Sequence, residues 1–528
     1  MEIMNNTFKI KFISALLLLA MLLVGCDGQG AESTTPPCEH VWADATCSAP
    51  KTCTACGATD GEALAHTWVE ADYSNPKTCS VCGATEGEKL ECPIPDELNL
   101  ALQMEKIPVA TADMTEQELR DLIVQFMYLQ INFAYTPDFG DIMDSYGYHI
   151  VNLYGSYGYE DSKIPFEEGK YYGGIPYVGN AAGSLYRWLE FYDAESGIMN
   201  WEPLIRTKRK NWEAEGRTFP DVGSAYFGNS CAASCVWSYL RVTNKIDSFW
   251  TNTWLPKNGF VKIGDYKLST GDTHGSDTRD ICKDNGAAKM YAAYAQIKKA
   301  DGLVHTGHAM MSIADAVVVR DSNGNIDGGQ SYVLIAEQTG GYRNSSKDML
   351  YSPLGNSGLT YRIQGNFSGN VVNGNVKMMK KTFYSLYKDG FLPFTIPELC
   401  GQDTVEKTEI GLYNKSNELF TGDTIKASEL KTMTMKCNYA ISDIHFIIRD
   451  SEGNEVFNTM YAKFANNVLT LKTYSMESAF TDNELYQSKG CINLAVFDYA
   501  EKGNHTLEIT ARVSTGELIT VYKGNLAE

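Results

Sequence analysis

The chain has 528 residues, 44% of them hydrophobic, and a formal net charge of -20. This length is typical of three or four domains, and the strong negative charge argues against nucleic acid or anionic lipid as the principal partner. Fourteen cysteines are too few to make disulfides the main framework of such a chain.

The N-terminal segment 1–26 has the pattern of an export signal. Two lysines precede an apolar run that is too short to span a membrane comfortably. The run ends in the letters LVGC, which resemble a lipobox, the motif in which the cysteine is acylated. Acylation of Cys26 would anchor the protein outside the cytoplasm, on a bacterial cell membrane; a plain cleaved signal is the alternative. Residues 27–37 read as a linker.

Residues 38–92 contain two copies of one small module, displaced by 26 positions. Each copy pairs a histidine with a CxxCG motif, and this combination resembles zinc ribbons. It predicts structural zinc, with these candidate ligands: His40, Cys53, Cys56, His66, Cys79 and Cys82. The remaining ligand stays open among Cys38, Cys47 and Cys92, because the second copy has Tyr73 where the first has Cys47. Disulfides are the alternative outside the cytoplasm.

A helix is predicted to begin after Thr115. Thr115 and Glu118 form a capping box ahead of an apolar stripe at helical spacing. Pro137 is expected to end this helix.

The segment GNSCAASCV predicts a second helix, capped by Asn229 or Ser230. Cys231 falls in its first turn, where unpaired backbone N–H groups and the helix dipole favour a thiolate. Cys235 falls in the apolar stripe, where a thiol simply packs. We therefore expect Cys231 to be the nucleophile and keep Cys235 as the alternate.

Two later apolar runs carry groups that can serve this thiol. His308 begins one run and Glu337 ends the other. A thiol, an imidazole and a carboxylate make a nucleophile, its base and the group that orients the base. We predict that Cys231, His308 and Glu337 form this set. His305 is the alternate base, and Gln338 is the alternate orienting residue.

In their order and local patterns, these segments resemble the papain-like NlpC and CHAP peptidases. GNSCAASCV resembles their cysteine motif, with Ser230 where an acidic residue often stands, and GHAMMSI resembles their histidine strand. VLIAEQT is similar to the CHAP strand that ends in EQN, with Thr339 in place of Asn. GIPYVG, which contains Tyr177, resembles the G-x-PY entry of NlpC domains.

The resemblance covers residues 110–395 and implies an α+β papain-like domain, with a helix packed on an antiparallel sheet. It implies hydrolysis of peptide or amide bonds in peptidoglycan, with no cofactor needed for catalysis. Tyr177, Tyr226 and Gln338 are candidates to line the substrate and oxyanion region.

Residues 404–528 show short alternating strands and hairpin turns, which predict an immunoglobulin-like β-sandwich. Its role, wall binding or spacing, stays open. For the whole chain, we expect a surface cysteine peptidase or amidase. The alternatives are a non-catalytic binding protein on a papain-like scaffold, which the departures at Ser230 and Thr339 favour, and a cysteine protease acting on host or dietary protein.

Overall fold

The computed structural model divides the chain into two compact units, Met1–Lys89 and Leu90–Glu528. It describes residues 38–71, 75–91, 94, 96–138, 171–175, 182–200, 229–268, 278–338, 352–354, 359–363, 379–462, 467–481 and 492–528. These residues combine helices with several antiparallel sheets, so the predicted α+β class is confirmed at this level. The signal segment, Cys26 and the linker lie outside the described residues. No helix in the described part is long and apolar enough to cross a membrane.

The N-terminal unit contains the sequence repeat as a structural repeat. Each copy folds into a three-stranded antiparallel sheet, and the strands are Trp42–Ala43, Lys51–Cys53, Thr59–Asp60, Trp68–Val69, Lys77–Cys79 and Thr85–Glu86. The register is the same in both copies, with Trp42 opposite Cys53 and Trp68 opposite Cys79. Strands of two or three residues bury little apolar surface, so each sheet needs another source of stability.

The predicted capping box is present at the start of the helix Glu116–Asn132. The Thr115 side chain accepts the Glu118 N–H, and the Glu118 carboxylate accepts the Thr115 N–H at 2.8 Å. The helix ends before Pro137, because the chain then enters the strand Ala134–Pro137 and pairs with Tyr171–Gly173. The helix was predicted to stop near Pro137, but it ends at Asn132, and the strand Ala134–Pro137 occupies the residues between.

A six-stranded sheet forms the centre of the larger unit, and all of its pairs are antiparallel. Its strands, in spatial order, are Val261–Lys262, Leu392–Thr395, Gly302–His305, His308–Ser312, Tyr332–Ala336 and Met379–Thr382. The helix Cys231–Tyr239 packs against the strand His308–Ser312 on one side and the helix Glu116–Asn132 on another. This packing places the first turn of the cysteine helix next to the start of the strand His308–Ser312.

The described residues of the larger unit that precede the C-terminal segment contain a second sheet and further helices. A five-stranded sheet of mixed direction contains Ser352–Leu354, Leu359–Ile363, Tyr171–Gly173, Ala134–Pro137 and Ile198–Met199. The other α-helices are Leu100–Lys106, Leu185–Phe191, Thr278–Asn285, Ala287–Tyr294 and Phe383–Asp389. The 3-10 helices are Asp96–Leu98, Thr251–Thr253, Pro256–Asn258 and Pro397–Leu399.

The C-terminal segment contains two sheets, as a layered β structure requires. One consists of Ile410–Tyr413, Thr434–Cys437 and Thr473–Ser475, and the other of Thr424–Lys426, Leu518–Ala527, His505–Val513, Ile441–Arg449 and Glu455–Tyr461. Four helices that the sequence analysis did not predict accompany them: Ala427–Leu430, Val468–Leu471, Met476–Thr481 and Ile492–Lys502. Because the last of these contacts the five-stranded sheet, the segment is not built of strands alone, and the immunoglobulin-like topology stays a prediction.

The C-terminal segment is bonded to the loop that follows the cysteine helix. The Tyr439 hydroxyl donates to the Val242 carbonyl at 3.4 Å and to the Glu406 carbonyl at 3.0 Å. The Val468 N–H donates to the Asp247 carbonyl at 3.0 Å. Both segments also contribute to one continuous hydrophobic core. The two predicted domains of this part are therefore packed together as one compact unit.

Candidate active site

The cysteine helix begins at Cys231, as predicted, and Ser230 caps it by accepting the Ala233 N–H at 3.3 Å. Asn229 supports the cap, because its side-chain oxygen accepts the Ser230 N–H at 3.1 Å. The Cys231 side chain thus lies at the positive end of the helix dipole. Only 4% of the residue is exposed, so the thiol lies among protein groups rather than in bulk water.

Cys235 lies one turn further along the helix and is fully buried. Burial raises the pKa of its thiol well above the ordinary value, and the nearby Cys231 and Glu337 add to that effect. Such a thiol stays protonated and poorly nucleophilic. The difference between the two cysteines follows the prediction from their helical positions.

His308 and Glu337 are held together by the central sheet. His308 opens the strand His308–Ser312, and Glu337 directly follows the neighbouring strand Tyr332–Ala336. The Nε2 atom of His308 lies 2.5 Å from the Oε2 atom of Glu337, and the two side chains are 18% and 7% exposed. A carboxylate at this distance fixes the ring and leaves Nδ1 as the nitrogen available to a second partner.

Cys231 also interacts with the His308 ring. Burial raises the pKa of Cys231, but the charge of His308, a hydrogen bond with it, and the N–H groups of Ala309 and Ala232 outweigh burial and lower the pKa overall. Burial lowers the pKa of His308, whereas Cys231 and Glu337 together raise it above the ordinary histidine value. The opposite directions of these shifts favour a thiolate beside an imidazolium.

His305, the alternate base, has different partners. Its Nδ1 atom lies 2.7 Å from the Thr306 carbonyl, and its ring packs edge-on against Phe391 with centroids 4.4 Å apart. Burial lowers the pKa of His305, which favours the neutral ring. The Glu337 carboxylate lies against His308, so the geometry favours His308 as the base.

Gln338, the alternate orienting residue, is fully buried and bonds elsewhere. Its amide nitrogen donates to the Ile175 carbonyl, and its amide oxygen accepts from the Ser234 hydroxyl at 3.5 Å. Gln338 therefore connects the cysteine helix to the segment at Gly174 and Ile175. Tyr177 and Tyr226 lie outside the described residues.

Gln130 is a positioning residue that the sequence analysis missed. Its buried side chain donates to the Ser234 carbonyl and the Ser238 hydroxyl, both at 2.9 Å, and accepts from Asn229 at 3.3 Å. It thus bonds both to the middle of the cysteine helix and to the residue before the cap. An amide inside the apolar stripe of a predicted helix was the available signal, because buried amides need partners.

The N-terminal unit has two further clusters, each with four side chains that could hold a metal ion. One contains Cys38, His40, Cys53 and Cys56, and the other contains Cys47, His66, Cys79 and Cys82. Within each cluster the possible ligand atoms all lie within 4.8 Å of one another. All six predicted ligands are therefore in the clusters, and Cys38 and Cys47 fill the positions that were left open. Cys92 lies outside the described residues.

Comparison with known proteins identifies no relative: no protein-family model, no curated protein and no solved structure matches the chain. The residues themselves define a buried thiol, imidazole and carboxylate where a helix meets an antiparallel sheet. The resemblance to NlpC and CHAP peptidases stays a prediction, and so does the activity that it implies.

Proposed function

We propose that the protein is a papain-like cysteine hydrolase that cleaves peptide or amide bonds. The observation that carries the proposal is the contact between His308 and Glu337, which leaves the other ring nitrogen for Cys231. It is supported by the pKa shifts of Cys231 and His308, which move in the directions that a nucleophile and its acid–base partner require.

In the proposed reaction, the Cys231 thiolate attacks the carbonyl carbon and the carbonyl π electrons move to oxygen. The Cys231 N–H, in the first turn of the helix, donates to that oxyanion. The C–N bond then breaks, His308 gives its proton to the leaving amine, and a thioester remains on Cys231. Water attacks the thioester as His308 takes a proton, which releases the carboxylic acid and restores the thiolate and imidazolium. Glu337 keeps the ring oriented throughout.

The substrate class comes from the family resemblance, which implies peptide or amide bonds of peptidoglycan. An acylated Cys26 would hold the enzyme on the outer face of the cell membrane, close to that polymer. We propose structural zinc in the N-terminal repeats and no cofactor for the hydrolysis. Profiling of cleavage on purified cell wall and on unrelated proteins separates this substrate from a host or dietary protein.

Lipid attachment at Cys26 has a direct test. Cells that express the protein are expected to incorporate a labelled fatty-acid analogue into it, and the Cys26→Ser variant is expected to lose all of that label because the thiol is the attachment point. Label that persists in the variant would contradict the lipobox assignment.

The thiolate can be measured by alkylation with iodoacetamide. Thiolate forms as pH rises through the pKa of Cys231, and this pKa is lowered. We therefore expect Cys231 to react at lower pH than an ordinary thiol, whose pKa is about 8.5. Peptide mapping by mass spectrometry identifies the labelled cysteine.

The same measurement tests Glu337. In Glu337→Gln the imidazolium loses its carboxylate, so the pKa of His308 falls, the pKa of Cys231 rises, and the alkylation profile moves to higher pH. His305→Gln is the matched control and should leave the profile in place. A profile that moves with His305 but not with Glu337 would overturn the assignment of the base. Slow alkylation of Cys231 at neutral pH in the wild-type protein would favour the non-catalytic alternative.

A further inference from the structure

We propose that the second metal cluster is a zinc site shared by the two N-terminal repeats, because its fourth ligand, Cys47, belongs to the first repeat. Three of the four ligands in each cluster follow the 26-residue displacement: His40, Cys53 and Cys56 correspond to His66, Cys79 and Cys82. The fourth ligand does not follow it. This inference is independent of the proposed hydrolysis.

The two ligands that do not follow the repeat, Cys38 and Cys47, have a common explanation. The first cluster takes Cys38, whose counterpart in the second repeat is Leu64. The second cluster takes Cys47, whose own counterpart is Tyr73. We infer that Cys47 supplies a ligand to the repeat that follows its own. The second repeat has no described successor, so it needs no cysteine at the position of Tyr73. The first repeat has no described predecessor, so its fourth ligand is Cys38.

The distances between ligand atoms fit a tetrahedral ion. Bonds of about 2.3 Å to sulfur and about 2.0 Å to nitrogen place two sulfurs about 3.8 Å apart and a sulfur and a nitrogen about 3.5 Å apart. The Sγ atoms of Cys47 and Cys79 are 3.8 Å apart, and those of Cys38 and Cys53 are 4.0 Å apart. In both clusters a cysteine sulfur lies 3.4 Å from the Nδ1 atom of the histidine: Cys56 with His40 and Cys82 with His66.

The chemistry of the donors favours zinc over disulfides. Three sulfurs and one imidazole form a closed structural zinc set, whereas a disulfide gives no role to the histidine. The histidine of each cluster also contacts a tryptophan in the same way. The rings of His40 and Trp42 have centroids 5.0 Å apart, and those of His66 and Trp68 have centroids 4.8 Å apart. This support orients the ligating ring, as neighbours of metal ligands usually do.

The path of the first repeat brings Cys47 to the second cluster. Cys47 lies in the connection between the strands Trp42–Ala43 and Lys51–Cys53, and it is buried. Next to it, the Thr46 carbonyl accepts the Leu64 N–H at 2.9 Å. An ion in the second cluster would therefore bond residues of both small sheets and couple their folding.

Counting zinc ions in paired variants tests the shared site. The full chain is purified under reducing conditions, loaded with Zn²⁺, desalted and weighed by native mass spectrometry. The wild-type chain is expected to retain two ions. The double variant Cys53→Ser/Cys56→Ser should retain one, and adding Cys47→Ser to it should remove that last ion.

The reciprocal set gives the decisive contrast. Cys79→Ser/Cys82→Ser should retain one ion, and adding Cys47→Ser there should leave that ion in place, because the first cluster uses Cys38. If Cys47 served its own repeat, the two triple variants would exchange results, and the proposal would fail. Cys400→Ser, at an exposed cysteine outside both clusters, is the control and should retain two ions. A wild-type chain that binds no zinc after reduction would also overturn the proposal.

Discussion

Cys231→Ala is expected to reduce hydrolysis of peptidoglycan peptides by roughly 10⁴-fold or more, because it removes the only atom that forms the covalent intermediate. The fold should persist. The change deletes one sulfur in the first turn of a helix, and alanine is the best helix former. Release of new amino termini from purified cell wall measures the activity, and circular dichroism measures the fold.

Cys235→Ala is the matched control for this experiment. It is the same substitution one helical turn later, at a thiol that burial keeps protonated. We expect it to lower stability by about 1 to 2 kcal/mol through the small cavity it leaves, and to keep activity within a few-fold. A folded Cys231→Ala protein that still releases amino termini at the wild-type rate would refute the proposed nucleophile.

Arg120→Leu is expected to have the largest effect on stability, about 3 to 5 kcal/mol, because it leaves the buried Asp301 carboxylate without its cation. The two side chains are 5% and 2% exposed and lie 2.9 Å apart. Arg120 also donates to the Leu399 carbonyl at 2.9 Å, so it ties three segments together. Urea unfolding with a single cooperative transition measures the loss.

Two further variants separate the buried charge from simple loss of packing. Lys299→Ala breaks a partly exposed pair with Asp121 and should cost less than about 1 kcal/mol. Arg120→Leu/Asp301→Leu removes both charges and should recover part of the loss, because no uncompensated carboxylate remains. A double variant no more stable than Arg120→Leu would show that Asp301 is not the source of the effect.

The sequence predicts more of the candidate site than of the overall fold. Cys231 and Cys235 separate because helical spacing decides which thiol packs, and Glu337 is found because a carboxylate that ends a buried strand stands at the edge of the sheet. Long-range pairing is harder to infer. The helix Glu116–Asn132 ends where its next residues join a sheet, and the partner strand is far away in the sequence.

The helix Ile492–Lys502, which the sequence analysis missed, had a local signal. Ile492, Val496 and Ala500 are buried at intervals of four, which is helical spacing within a segment whose neighbours alternate as strands. The fourth metal ligands had none of this kind. A repeat predicts only what recurs, and Cys38 and Cys47 are the two ligands that do not recur.

The placement of Cys47 in the cluster of the following repeat has a consequence for how such a chain lengthens. A tandem duplication of residues 41–66 would copy one cysteine for the next unit, one CxxC pair and one histidine. Each metal cluster of the longer array would then have four donors. Cys38 would still complete the first cluster, and Tyr73 would still stand at the corresponding position of the last repeat. Growth by copying would need no new mutation to complete any site.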